Sequence, residues 1–193
     1  MAGIGLLARA YDRQLPLERA ALAAAVELAA VGPDDRLLDV ATGTGGLLRE
    51  LARLDARPAE VAGIDRRAAA LAVAAERLPA GWRLTAGDAR RLPFADGRFD
   101  VVTACYLLHL LDREERARVL GEIARVLRPG GRVVVVTLDS HRAVIRAALG
   151  LLPRSSGLRP LDSADDLGEA GLRPLRARFV RSGWPSSCVL ATS

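Results

Sequence analysis

Three aspartates and one glycine turn carry the chemistry this sequence can support. Asp39 sits just ahead of Ala41-Thr42-Gly43-Thr44-Gly45-Gly46, Asp65 follows Gly45 by twenty residues, and Asp88 lies in Gly87-Asp88-Ala89. Gly43 and Gly45 can take backbone angles closed to other residues and let a ligand approach the main chain, while a helix starting at Gly46 offers unpaired N–H groups. This is a nucleotide-type cradle. A dinucleotide cradle repeats glycine as Gly-x-Gly-x-x-Gly, but counting from Gly43 the third position is Leu48. A Walker phosphate loop needs a lysine, and the chain contains none. A carboxylate ahead of the loop repels a pyrophosphate and suits a cation. The ligand these residues select is S-adenosyl-L-methionine, whose ammonium and sulfonium are both cationic. At the second position, Asp65 can accept both ribose hydroxyls. At the third, Asp88 can accept from an adenine amine, with the Ala89 N–H left for a ring nitrogen.

Those residues need elements that bring them together. An alanine-rich helix is expected over 17–30 and ends at Gly32-Pro33. A strand buried on both faces spans 36–41, and its helix follows over 46–54. Strands at 60–65, 82–88 and 99–105 alternate with helices at 66–78 and 113–126, which makes the sheet parallel. Arg128-Pro129-Gly130-Gly131 turns the chain into the strongly β-branched strand 132–138. The mixed segment 139–161 reads as a lid or substrate loop. A last helix at 162–170 precedes strands at 172–180 and 187–192, joined as a hairpin. In an open parallel sheet, ligands bind beyond the carboxyl ends of the strands, and Asp39, Asp65 and Asp88 end three of them in succession.

Composition narrows the class. With 193 residues, half of them hydrophobic and 26% charged, the chain fits one globular domain, 1–193, with an N-terminal helical segment over 1–33. The net charge of +5 comes from arginines spread along the whole length, whereas nucleic-acid binders gather theirs on one face. Cys105 and Cys188 stand far apart, so neither a metal site nor a disulfide framework is expected. Residues 1–13 lack a basic region before a very short apolar run and read as a poor secretion signal. The longest apolar stretch, 20–31, includes Glu27 and is too short to cross a bilayer. A soluble cytoplasmic protein is expected.

The segments LLDVATGTGG at 37–46, VAGIDRR at 61–67, GDARRLPFADGRFDVVTACYLLHLLD at 87–112 and LRPGGRVVVVTL at 127–138 resemble, in order, the class I S-adenosylmethionine-dependent methyltransferases. Within that class the chain resembles most the ubiquinone/menaquinone C-methyltransferase-like subgroup. The resemblance implies a Rossmann-like three-layer αβα sandwich with a seven-stranded sheet in order 3-2-1-4-5-7-6 and an antiparallel seventh strand. It also implies that Asp39, Ala41, Gly43 and Gly45 hold the methionine portion of the cofactor, Asp65 with Arg66 the ribose, and Asp88 with Ala89 the adenine, with Cys105 contacting it through the backbone. S-adenosyl-L-homocysteine would be the product.

Methyl transfer is an in-line displacement on a carbon already activated by sulfur, so alignment and desolvation supply most of the rate and no metal is needed. A general base matters only where the nucleophile must lose a proton. His141 at the start of the lid and His109 inside an apolar run are the candidates, with Tyr11, Tyr106 and Asp139 behind them. Tyr11 could lie over the sulfonium as a cation–π partner or pack on the core. Trp184 reads as a hairpin anchor, and Arg90-Arg91 as a solvated loop pair. The expected partner is a small-molecule acceptor such as a quinone, a lipid or a natural-product-like compound, and a homodimer is allowed. Three further classes stay open: a nucleic-acid methyltransferase, a nicotinamide-dependent oxidoreductase and a non-catalytic cofactor-binding protein.

Overall fold

The structure, a computed structural model, describes residues 15–55, 57–138 and 163–193. Seven strands form one sheet: β1 (Arg36–Val40), β2 (Glu60–Asp65), β3 (Arg83–Ala86), β4 (Phe99–Cys105), β5 (Leu127–Leu138), β6 (Arg173–Val180) and β7 (Ser186–Thr192). Their order is β3-β2-β1-β4-β5-β7-β6, with β1 to β5 mutually parallel and β7 antiparallel to both β5 and β6. From β1 the chain runs outward through β2 and β3, then returns to place β4 on the other side of β1. The reversal opens a crevice between the carboxyl ends of β1 and β4, where open α/β sheets bind ligands.

Parity along the strands decides which residues share a layer. Leu38, Val40, Ala62, Ile64, Val102, Ala104, Val133 and Val135 enter one core, together with Val119, Leu120 and Ile123 of α4 (Arg113–Val126) and Leu167 of α5 (Ser163–Glu169). Leu37, Val61, Val101, Val134 and Val136 enter the opposite core. That core is completed by α1 (Leu15–Ala29) and α2 (Gly46–Leu51). Since side chains alternate with a period of two, Asp39, Asp65 and Cys105 belong to the face that carries α1. Burial of nearly every residue of β1, β2 and β4 matches a parallel sheet covered on both sides.

Several element ends differ from expectation, each for a visible reason. The second βα helix, α3 (Ala68–Ala75), starts two residues late because the Arg67 N–H is held by Asp65 at 2.8 Å. α2 stops at Leu51, since Arg53 and Leu54 donate to carbonyls three residues back and tighten the last turn. β5 begins five residues early: Leu127 pairs with Phe99 before a register shift absorbs the Pro-Gly-Gly turn. α4 keeps its expected bounds, with a capping box in which Asp112 accepts from the Glu115 N–H at 2.9 Å and Glu115 accepts from the Asp112 N–H at 3.3 Å. The lid over 139–161, with His141 and Asp139, and the amino-terminal segment with Tyr11 lie outside the described residues.

Candidate functional site

Two adjoining cavities open at the β1/β4 crevice. The larger, about 210 Å³, is lined by Ala41, Asp65, Arg66, Asp88, Ala89 and Tyr106, among others. The smaller, about 50 Å³, is lined by Glu18, Asp39, Gly43, Thr44, Cys105 and Tyr106, among others. Tyr106 is a wall of both. Every cofactor residue expected from sequence except Gly45 therefore lines one cavity or the other. Gly45 stands in the left-handed region at φ 82° as the residue before α2, and Gly43 is left-handed at φ 55°.

Asp65 organises the loop. Its carboxylate accepts the Gly43 N–H at 2.9 Å and the Arg67 N–H at 2.8 Å, so β2 clamps the glycine turn of β1 to the start of its own helix. A carboxylate has about four acceptor positions, so this leaves lone pairs for a ligand hydroxyl. Asp39 is 2% exposed and accepts from both threonine hydroxyls beside it: Thr103 at 2.7 Å from the register-paired position on β4, and Thr42 at 2.5 Å from the loop. Burial pushes its carboxyl up to about 6, against the pull of those two hydroxyls, so the group is charged at neutral pH without a cationic partner among the described residues.

Asp88 is more exposed and already paired. Arg90 contacts it at 2.6 Å, accompanied by its own backbone N–H at 2.9 Å, and holds the carboxyl below its usual range. Arg90 also reaches Glu115 at 2.9 Å, linking this edge of the cavity to the first turn of α4. Arg90 and Arg91 are both exposed, as expected of a solvated loop pair, and Arg90 is in addition ion-paired.

Backbone strain marks the crevice from both sides. Ala41 at φ 59° and Tyr106 at φ 56° are left-handed non-glycine residues directly after β1 and β4. Such conformations cost roughly 1–3 kcal/mol each and gather at ligand sites. The Tyr106 hydroxyl bonds Ser186 at 2.9 Å, which itself donates to the Trp184 carbonyl at 2.8 Å, and burial raises the phenol far above its usual value. Cys105 is likewise pushed well up by burial and stays a neutral thiol.

His109 stands apart from the cavities. It is buried on a 3₁₀ turn (Leu108–Leu110), edge-on to Tyr106 with ring centroids 6.2 Å apart, and it lines neither cavity. Burial lowers it to about 4, so it is neutral at pH 7, and its Nδ1 has no partner among the described residues. Trp184 uses its backbone N–H to hold the Leu17 carbonyl at 2.9 Å, so the hairpin turn fastens the start of α1. Leu48, where a dinucleotide cradle would need glycine, is fully buried in the core. Among the described residues, no group of three His, Cys, Asp or Glu side chains gathers to hold a metal, and no helix is long and apolar enough to cross a membrane.

Not expected from the sequence were Glu18, Thr42 and Tyr106 as cavity-lining residues and Thr103 as a partner of Asp39. Glu18 had a signal: Leu22, Ala25 and Ala29, at helical spacing from it, are all buried, so an acidic residue stands on the stripe of α1 that faces the sheet. Thr103 could have been found from parity with Asp39, but only once the β1/β4 register was known.

Residues 37–131 match the methyltransferase domain family. The demethylmenaquinone methyltransferase of Thermus thermophilus is 44% identical over 115 residues, which span 58% of this chain and 51% of that one. The ubiquinone/menaquinone biosynthesis C-methyltransferase of Pseudomonas paraeruginosa is 35% identical over 173 residues, spanning 87% and 61%. The chain spans about half the length of the curated relatives it matches. Among solved structures, a chain from the complex between the Haloferax volcanii Trm112 methyltransferase activator and the putative methyltransferase superposes with a TM-score of 0.79 at 18% identity, covering 98% of this chain and 97% of its own. A SAM-dependent methyltransferase from Aquifex aeolicus superposes with a TM-score of 0.75 at 19% identity, covering 97% of each. Sheet order, ordered motifs and these matches agree: residues 37–131 match the methyltransferase domain family, and the chain resembles the class I S-adenosylmethionine-dependent enzymes and, within them, the quinone C-methyltransferases.

Proposed function

We propose that the protein binds S-adenosyl-L-methionine across the two cavities and transfers its methyl group to a small-molecule acceptor that is quinone-, lipid- or natural-product-like. The observation that carries the reading is the pairing of a roomy cavity, bordered by Asp65 and Asp88, with a narrow one closed by the buried carboxylate of Asp39, which has no cationic partner among the described residues. The residues fit the cofactor. Asp65 keeps acceptor capacity for ribose hydroxyls, Ala41 and Gly43 of the turn line the cavities, and Asp39 supplies the anion that an ammonium needs. When bound, S-adenosyl-L-methionine supplies a methyl carbon activated by its sulfonium for in-line displacement.

The chain's own part is binding, orientation and exclusion of water. Asp65 fixes Gly43 and Arg67, Thr42 and Thr103 fix Asp39, and Leu107, Leu110 and Leu111 line the apolar side of the larger cavity. Alignment inside a desolvated site is a sufficient source of rate for an activated carbon. Quinol-like acceptors are favoured by the resemblance to quinone C-methyltransferases. The test is transfer of labelled methyl from S-adenosyl-L-methionine to a panel of quinols, phenols, amines and nucleic acids. Incorporation into a quinol or phenol is expected; incorporation into nucleic acid alone would overturn the acceptor class.

A further inference from the structure

We propose that Glu18, from the first turn of α1, is the second anionic group at the amino-acid end of the cofactor, so that a helix outside the glycine-loop motif closes the smaller cavity around the ligand's ammonium. This rests on the S-adenosyl-L-methionine reading. Glu18 is 6% exposed, lines the smaller cavity with Asp39, Thr42 and Gly43, and has no hydrogen-bond or ionic partner among the described residues. A buried carboxyl without a partner is costly and calls for an occupant that supplies charge. The ammonium of the methionine moiety has that charge and the right size for a cavity of about 50 Å³. The hairpin turn that anchors Leu17 through Trp184 fixes Glu18 one residue farther along, so its placement is built in by two elements.

Burial alone raises the Glu18 carboxyl to about 7 in the free protein. The titratable groups around this end of α1 are Asp39 of β1, Cys105 and Tyr106 at the end of β4, and Cys188 of β7. Of the cations on and beside the elements packed on α1, Arg19 and Arg53 pair with Glu50 of α2, Arg178 of β6 with Glu27, and Arg132 of β5 with the Ala29 carbonyl and Asp35. Arg49 of α2 and Arg173 and Arg176 of β6 belong to the same set, and none of these cations is paired with Glu18. A bound ammonium favours the charged carboxylate, so Glu18 gives up its proton to solvent as the ligand enters.

The experiment is isothermal titration of S-adenosyl-L-methionine and S-adenosyl-L-homocysteine into the full chain and into Glu18→Gln, at pH 7 in buffers of differing ionisation enthalpy. Glu27→Gln, on the exposed side of the same helix, serves as control. Wild type and Glu27→Gln should release protons on binding. Glu18→Gln should release about half a proton less, as expected for a group with a pKa near the working pH. It should also bind both ligands about tenfold more weakly, because both carry the ammonium and a charge-assisted contact is lost. Unchanged affinity and unchanged proton release in Glu18→Gln would overturn the proposal, as would weakening confined to the sulfonium ligand. The wild-type arm stands without the variant: net proton uptake at pH 7 contradicts it. Failure of wild type to bind either ligand would instead sink the underlying cofactor reading.

Discussion

Asp65 holds two backbone N–H groups that belong to different elements, Gly43 at 2.9 Å and Arg67 at 2.8 Å, and so serves the loop before it serves any ligand. Asp65→Ala should cost about 2–4 kcal/mol of folding stability, from two charge-assisted hydrogen bonds. It should also weaken S-adenosyl-L-methionine binding about 100-fold, a change read by thermal melting together with calorimetry. Full retention of affinity would remove the ribose role and leave only the structural one. Glu18 behaves differently because nothing among the described residues pairs with it. Its carboxyl is raised from 4.5 to about 7, so the neutral form stabilises the fold fully below pH 4.5, and that contribution is lost as pH rises to about 7. By the usual conversion the loss is roughly 3 kcal/mol. In the absence of ligand, Glu18→Gln should remove most of this slope and melt above wild type at pH 8. Asp39, raised from 3.8 to about 6, contributes the same sign over a lower window and remains in the variant. A variant that melts lower than wild type at pH 8 would show that Glu18 has a stabilising partner in the free protein.

Elements bring these residues to one place, and their contributions differ in how openly the sequence displays them. β1, β2 and β4 announce themselves as short apolar runs, and the alternation of Leu37 with Leu38 is enough to say that Asp39 shares a face with Leu37. Which helix covers that face cannot be read from the strand, because α1 reaches it through contacts with β5, β7 and α2 far along the chain. The hairpin turn between β6 and β7 shows the same non-local dependence. Gly183 has φ 75°, and a Cβ there would stand 2.0 Å from the Leu17 carbonyl oxygen that Trp184 holds. Gly183→Ala should therefore cost about 2 kcal/mol or more in stability, since both the backbone angle and a main-chain contact forbid it. It should also weaken cofactor binding by moving the first turn of α1. A melting temperature and an affinity both equal to wild type would show that the turn and the helix start are not coupled.

At the scale of the molecule, one sheet with one reversal of strand order collects acidic side chains at its carboxyl edge. Motif order made this arrangement legible: the glycine loop, Asp65 and Asp88 follow successive strands at the spacing a doubly wound fold requires. The helix α4 and the terminal hairpin were legible too, the hairpin from Arg181-Ser182-Gly183-Trp184-Pro185, whereas the capping box of Asp112 and Glu115 emerged only in the structure. What escaped was set by tertiary contact. Burial removes His109 from acid–base chemistry near neutrality, a pair with Arg90 occupies Asp88, and the strained Tyr106 joins two cavities that a linear reading treats as one. The central claim is that this edge accommodates a cationic sulfonium nucleoside. The most direct measurement is calorimetric titration of the full chain at pH 7 with S-adenosyl-L-methionine and, separately, with a nicotinamide dinucleotide. The account predicts saturable one-to-one binding of the first, displaced by S-adenosyl-L-homocysteine, and no heat from the second. Absence of binding by S-adenosyl-L-methionine at millimolar concentration, or saturable binding of the dinucleotide in its place, would contradict it.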